Sequence, residues 1–328
     1  MPEQLVFAME VFLNGLMAGV LYALVALGFV LIFKASGIFN YAQGVMALFS
    51  AMTLVGIMKG QVPFAHVINA IFGTDVHYFG WTVPALLAII LTVAVMVLFA
   101  WAVQKYIFRH LVGQEPIILF MATIGLAYFL EGVGDLMWNS EIKKLDVGLP
   151  QGINEAIDSY TFNIFDYGFF IDNLDIVATV IAALLVGGLV IFSQYSKEGR
   201  AMRAVADDHQ AALSVGVSLN FIWIMVWSVA GFVALVAGIM WGTKSGVQFS
   251  LSLIALKALP VLMLGGFTSI PGAIVGGLII GVGEKLFEFA IGPMVGGATE
   301  NWFAYVLALI FLVFRPQGLF GEKIIERV

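Results

Sequence analysis

Among the ionisable side chains inside long apolar stretches of this sequence are Glu131, Asp135, Lys257, Glu284, Lys285 and Glu288. In hydrocarbon each costs about 2.5–3.5 kcal/mol at the centre of a helix, so each needs a partner, access to water or a function. Glu131 and Asp135 stand four apart toward the end of their stretch, where they can reach water. Lys285 is placed to neutralise Glu288. Lys257 has no acidic neighbour in sequence. Its options are a carboxylate on another helix, snorkelling to the interface, or direct contact with a transported solute. A second polar group closes the segment KASGIFNYAQG (34–44), where Asn40 and Gln43 stand three apart and are expected on one helical face. Amides at a helix entrance either line a pathway or bond across to another helix, with Gly37 and Gly44 permitting close packing.

Enzymatic and metal chemistry find no support. Asp207, Asp208 and His209 are adjacent and diverge on a helix, and His66, Asp75 and His77 lack zinc-site spacing. The sequence has no HExxH, no GxSxG and no G-x-x-x-x-G-K-[ST]. With no cysteine, disulfides, thiolate metal sites and cysteine nucleophiles are excluded. The expectation is no catalytic residue, no metal and no cofactor in this chain; if ATP drives its work, another chain binds it.

The elements that carry these residues follow from composition. Of 328 residues 61% are hydrophobic and 11% charged, against about 25% charged in soluble domains. Mean hydropathy is +1.02. A soluble enzyme, a disordered regulator and, at a net charge of −6, a nucleic-acid binder are all excluded. The start MPEQ lacks the positive charge of a signal peptide, and the first apolar run is too long for one, so it is expected to remain as a helix. Long apolar runs lie at about 8–33, 38–58, 82–103, 116–138, 174–193, 220–242, 252–268, 272–290 and 301–314. The seventh, interrupted by Lys257, Pro260 and Gly265–Gly266, is a tilted helix or two shorter pieces.

The expected fold is an all-α polytopic membrane protein, one transmembrane domain over 1–328 with about eight to nine spans. The lower number applies if 38–58 is re-entrant. With nine alternating spans and a cytoplasmic C-terminus, the N-terminus lies outside. Lys34, Lys105, Arg109, Lys197, Arg200, Arg203, Arg315, Lys323 and Arg327 then face the cytoplasm, against Lys59, Lys143, Lys144 and Lys244 outside. The segment at about 139–173 becomes an acidic external loop, and that at about 194–219 a cytoplasmic segment with a short helix over 204–213. That segment is either a solvated interfacial helix or a docking helix for a soluble partner. Glycine pairs four apart, at 15/19, 238/242, 272/276 and 277/281, predict close helix contacts.

Four stretches carry a resemblance: GLMAGVLYALVALGFVLIFKASGIFNYAQG (15–44), EGRAMRAVADDHQAALSVGV (198–217), LGGFTSIPGAIVGGLIIGVGE (264–284) and FRPQGLFG (314–321). In this order they resemble the permease subunits of ATP-binding-cassette importers for branched-chain amino acids. The resemblance implies a multi-pass protein of the bacterial inner membrane working by alternating access. Its implied partners are a second related permease in a heterodimer, two ATPase subunits that bind ATP and Mg, and a periplasmic substrate-binding protein. It implies coupling to the ATPases through Arg200, Arg203, Asp207, Asp208, Ala211, Ala212 and Gly216. The pathway candidates are Asn40, Gln43 and Lys257. The 139–173 loop is longer and more acidic than that pattern, and related permeases move urea, short amides or other small solutes. A stand-alone secondary transporter, built on paired intramembrane charges such as Glu131 with Lys257, is the alternative from another class.

Overall fold

The computed structural model describes residues 2–111, 113–139, 141–150, 159–164, 167–207 and 209–321. Within these the chain is helical: α1 Pro2–Ser36, α2 Gln43–Met58, α3 Ala65–Phe72, α4 Ala85–Tyr106, α5 Pro116–Trp138, α6 Asn173–Tyr195, α7 Lys197–Asp207, α8 His209–Ser214, α9 Leu219–Ser245, α10 Ile254–Gly265, α11 Ile270–Val295 and α12 Phe303–Phe314. Between α5 and α6, β1 (Ser159–Ile164) pairs antiparallel with β2 (Tyr167–Asp172), from Ser159 opposite Asp172 to Ile164 opposite Tyr167. This hairpin lies within the stretch expected to be a loop; Glu155, Asp158 and Asp166 of that stretch lie outside the described residues.

Every apolar run falls on a helix, and five helices are long and apolar enough to cross a membrane: Phe7–Ser36, Ala85–His110, Pro116–Trp138, Asn173–Tyr195 and Leu219–Ser245. The seventh and eighth runs form a pair, Phe249–Gly265 and Ile270–Val295, bent by 114°; taken as one span it raises the number to six. With 16 and 12 residues, α2 and α12 reach only about 24 and 18 Å at 1.5 Å per residue, short of the roughly 30 Å hydrocarbon core. The chain is an all-α, multi-pass membrane protein.

The chain divides into two compact units. The first comprises Met1–Val30, Leu149–Ile191 and Ala255–Val328. Here the glycine spacing acts as expected. A Cβ on Gly19 would lie 2.6 Å from the carbonyl oxygen of Gly277, and one on Gly281 would lie 2.5 Å from that of Gly15, so α1 and α11 touch backbone to backbone. Gly276 meets the Val261 carbonyl, where a Cβ would come within 2.7 Å, and Gly265 meets Gly272; these contacts fold α10 back onto α11. Ser269 caps α11 by accepting the Gly272 N–H at 3.0 Å. The tail completes the turn: the N–H groups of Leu319 and Phe320 donate to the carbonyls of Leu264 and Gly265 at 2.7 and 3.1 Å. Pro260 lacks an N–H and leaves the Leu256 carbonyl without its helical donor. The hydroxyl of Tyr305 on α12 takes that place at 2.7 Å.

The second unit comprises Leu31–Gly148 and Phe192–Ile254. Its centre is α2, buried along nearly its whole length among α4, α5 and α9. Gly238 of α9 lies against the Ala47 carbonyl, and Gly56 of α2 lies beneath the Trp138 ring. The Trp138 indole donates to Thr53 Oγ1 at 3.2 Å. In α4, Ala88, Thr92, Met96 and Ala100 are buried at four-residue spacing while Leu86, Leu87, Ile90, Leu91, Val97 and Leu98 are exposed, as for a helix with one side on lipid. Beyond the end of α5, the Lys143 ammonium donates to the Trp138 carbonyl and, at 2.8 Å, to Gln61 Oε1. Burial, and secondly the charge of Lys59, lower the Lys143 pKa to about 8.

Two outcomes follow. Gly281→Leu forces α1 off α11, whereas Gly187→Leu, on an open face of α6, meets nothing within 4 Å. The first is expected to lower stability by about 1–3 kcal/mol or more and the second to be near neutral, as read by thermal unfolding in detergent. For Lys143, the unfolded chain holds its proton up to the ordinary 10.5, while the folded chain releases it near 8. The unfolded state therefore binds more protons across that window, and stability rises with pH through it. Lys143→Met should remove this rise.

Candidate functional site

Four of the six costly charges, Lys257, Glu284, Lys285 and Glu288, gather in the first unit, while Glu131 and Asp135 lie in the second. Lys257 extends from the first turn of α10 and pairs with Glu284 of α11, Nζ to Oε1 at 2.6 Å. The same ammonium donates to the Glu300 carbonyl at 3.0 Å. Glu284 is 1% exposed and Lys257 28%. The Tyr22 hydroxyl, from α1, donates to Glu284 Oε1 at 3.4 Å. The other carboxylate oxygen of Glu284 has no hydrogen-bond partner among the described residues, so compensation of this buried charge falls mainly on Lys257.

Lys285 does not pair with Glu288. It reaches Glu300 Oε1 at 2.8 Å, while the Glu288 carboxylate accepts the N–H groups of Ala298, Thr299 and Glu300 at 3.1, 2.6 and 3.3 Å, and the Thr299 hydroxyl. Acceptance of several backbone donors fixes the turn from α11 to α12. That turn in turn holds the Glu300 carbonyl against Lys257.

Asn40 and Gln43 lie in the second unit but share no helical face. Gly37, at φ +68°, ends α1, and α2 begins only at Gln43. Asn40 sits in the intervening turn, its Oδ1 accepting the Ala42 N–H at 3.2 Å. Its amide nitrogen donates to Gln43 Oε1 at 3.1 Å, and Gln43 Nε2 donates to the Ala230 carbonyl of α9 at 3.3 Å. Both side chains are buried. Thr123 of α5 joins the same turn, accepting the Tyr41 N–H and donating to the Phe39 carbonyl. The cluster ties the break between α1 and α2 to α5 and α9.

The segment 194–219 forms two helices, α7 and α8, starting earlier than the single helix expected. At the end of α6 the Phe192 carbonyl accepts the Ser196 N–H at 3.1 Å, the carbonyls of Ser193, Gln194 and Tyr195 lack helical donors, and this segment supplies side-chain donors to all four. Ser196 Oγ donates to Phe192 at 2.6 Å, and Arg203 donates to Ser193 and, at 3.3 Å, to Gln194. Arg200 donates to Tyr195 at 3.1 Å. Gly199 packs so closely on α6 that a Cβ would lie 2.4 Å from the Phe192 carbonyl. Positive charge at a helix C-terminus is favourable as well. Asp207 ends α7 and Ala211 lies in α8, while Asp208 lies outside the described residues. Ala212 is buried, and Gly216 turns the chain at φ +84°. Between them Leu213 and Val215 stand exposed, Val215 at 75%. Reasoning from sequence does not single these two out; the available signal is two apolar residues flanking a serine just before a helix-ending glycine.

The charge pair yields a direct test. Lys257→Met should cost about 3–5 kcal/mol because it strands Glu284 in the interior, whereas the double variant Lys257→Met with Glu284→Leu should recover most of that loss. Thermal unfolding of the three proteins reads it.

With the geometry in hand, comparison with known proteins is specific. The family described as "Branched-chain amino acid transport system / permease component" matches residues 11–315. The high-affinity branched-chain amino acid transport system permease protein BraD of Pseudomonas aeruginosa is 29% identical over the whole length of both chains. The corresponding permease protein LivH of Escherichia coli is 25% identical, again over both whole chains. A probable branched-chain amino acid transport permease protein LivH of Methanocaldococcus jannaschii is 25% identical over 92% of this chain and 89% of that one. These relatives are membrane permeases and not enzymes. A glycine-packed, multi-pass helical chain matched from Val11 in α1 to Arg315 just past α12 belongs to the permease-component family of branched-chain amino acid transport systems.

Proposed function

We propose that this chain is the membrane-spanning subunit of an ATP-binding-cassette importer for branched-chain or closely related amino acids, working by alternating access in a bacterial inner membrane. Both BraD and LivH carry branched-chain amino acid transport in their names, and each matches this chain from end to end. ATP and Mg belong to two partner ATPases; a second permease and a periplasmic binding protein complete the assembly. Nine alternating crossings, with the N-terminus outside and the C-terminus in the cytoplasm, agree with the Lys and Arg distribution, and the number is eight if 38–58 is re-entrant.

The observation that carries the reading is the attachment of α7, which α8 follows, to the end of α6. A segment that transmits motion must be stiffly joined to a span and must offer its partner a surface. Arg200, Arg203 and Gly199 provide the joint, since all of their contacts above fall on α6 carbonyls. Leu213 and Val215 provide the surface, with Ala212 and Gly216 shaping it. In this reading Arg200 and Arg203 act through α6 and do not touch the ATPase. Asp207, Asp208 and Ala211 complete the coupling segment. Asn40 and Gln43, which fasten the α1–α2 break, and Lys257, which fastens α10 to α11, are the pathway candidates in this reading.

Val215→Asp should lower recovery of the ATPase subunits with the tagged chain at least tenfold, about 1.4 kcal/mol of binding, with no change in the chain's own thermal midpoint. Unchanged recovery would remove the α8 end as the docking point.

A further inference from the structure

We infer that α3 and the loop that follows it form an interfacial anchor, with the apolar face of α3 embedded at the headgroup–acyl boundary of one leaflet. The inference rests on the chain's being a multi-pass membrane protein and is independent of which side α3 faces.

The stripe is in the sequence. Phe64, Val67, Ile68, Ile71 and Phe72 recur at the three- and four-residue spacing of one helical face, an arc of about 140°. All five are exposed, Ile71 at 69% and Phe72 at 73%, and only Ala65 of α3 is buried. The helix carries no Asp, Glu, Lys or Arg. Opposite the stripe lie His66 and Asn69, and Asn69 is occupied with the loop: its side chain accepts the Val76 N–H and the Thr74 hydroxyl at 3.0 and 2.9 Å.

Position identifies the occupant. α3 is fixed where three other helices end. The Phe64 N–H donates to the Met137 carbonyl at the end of α5, the Phe79 N–H to Gly60 just past α2, and the Val83 N–H, at the entry to α4, to Met58. Phe64 is held at φ +59°, a left-handed conformation that a bulky residue adopts only under constraint, and this turns the chain sideways into α3. The helix ends of spans mark the membrane boundary, so a helix tied there lies at the level of the headgroups. Tyr78, Phe79 and Trp81 are exposed in the same loop, Phe79 and Trp81 stacked at 5.8 Å, as aromatic side chains gather at membrane–water interfaces. From Phe79 and Trp81 the exposed apolar residues continue along the chain to Leu86, Leu87, Ile90 and Leu91 of α4, while the one acidic residue of the loop, Asp75, stands 96% exposed beside His77 at 3.1 Å. Lipid that covers α4 therefore reaches the aromatic end of the loop that follows α3. A short helix with this stripe buries it about 5–10 Å below the headgroup boundary.

The absence of cysteine makes the test clean. Single cysteines at Val67, Ile71 and Phe72, and at His66 and Ala70 on the opposite side, are spin-labelled in the full chain and placed in nanodiscs of phosphatidylethanolamine and phosphatidylglycerol. Collision with oxygen and with a water-soluble nickel chelate is then measured. The expected result is high oxygen and several-fold lower nickel accessibility at 67, 71 and 72, reversed at 66 and 70. Equal nickel accessibility at all five positions would mean a stripe in water and overturn the anchor. Exclusion of both reagents at 71 and 72 would mean a protein contact, from a second permease copy, and would overturn it equally.

Discussion

A membrane interior contains no water to complete a hydrogen bond or solvate a charge, and most of this structure answers that constraint. Several breaks in helical bonding among the described residues are closed by identifiable donors. The Tyr305 hydroxyl stands in for the N–H that Pro260 lacks, and the tail amides of Leu319 and Phe320 close the end of α10. Arg200, Arg203 and Ser196 close the end of α6. Lys143 and Gln61 close the end of α5. The charge pair Lys257–Glu284 is the same answer at higher stakes, because an ion buried beside an incomplete partner set depends on its one counter-ion.

Close packing supplies what hydrophobicity cannot. Helices in lipid gain little by hiding apolar surface from one another, so contact must come from backbones that fit. The glycines of α1 and α11 bring the two helices within touching distance, and those of α10 and α11 allow a 114° bend without a long loop. The bent pair is further held by the Lys257–Glu284 ion pair, the Tyr305 hydroxyl on the Leu256 carbonyl, the Ser269 cap and the two tail hydrogen bonds.

The helices were legible in the sequence because, in a chain this poor in charge, an apolar run of about 20 residues is long enough to cross hydrocarbon and can satisfy its backbone there only as a helix. Gly15, Gly19, Gly277 and Gly281 were legible as contact sites, but not as each other's partners, since spacing carries no information about a helix some 260 residues away. Lys257 could be read only as a charge in need of a counter-ion; its carboxylate stands 27 residues along the chain, on the far side of a bend. Lys285 and Glu288 mislead because neighbours on one helix face are not obliged to meet when backbone N–H groups compete for the carboxylate. Asn40 and Gln43 mislead because Gly37 stops the first helix and the next begins at Gln43, so helical spacing does not apply between them. The two arginines of 198–217 suggest a partner surface, whereas their position just after an apolar run also fits helix capping. The stripe on α3 is present in the sequence but falls below the length that marks a span.

In the importer proposed above, this chain moves solute only when driven by ATP bound elsewhere. Proteoliposomes containing the chain with its co-purified partners and binding protein, or the chain alone, would be loaded with ATP or a non-hydrolysable analogue and given radiolabelled leucine. Accumulation against a gradient is expected only with the full assembly and hydrolysable ATP. Leucine uptake by the chain alone, unaffected by ATP, would contradict the account.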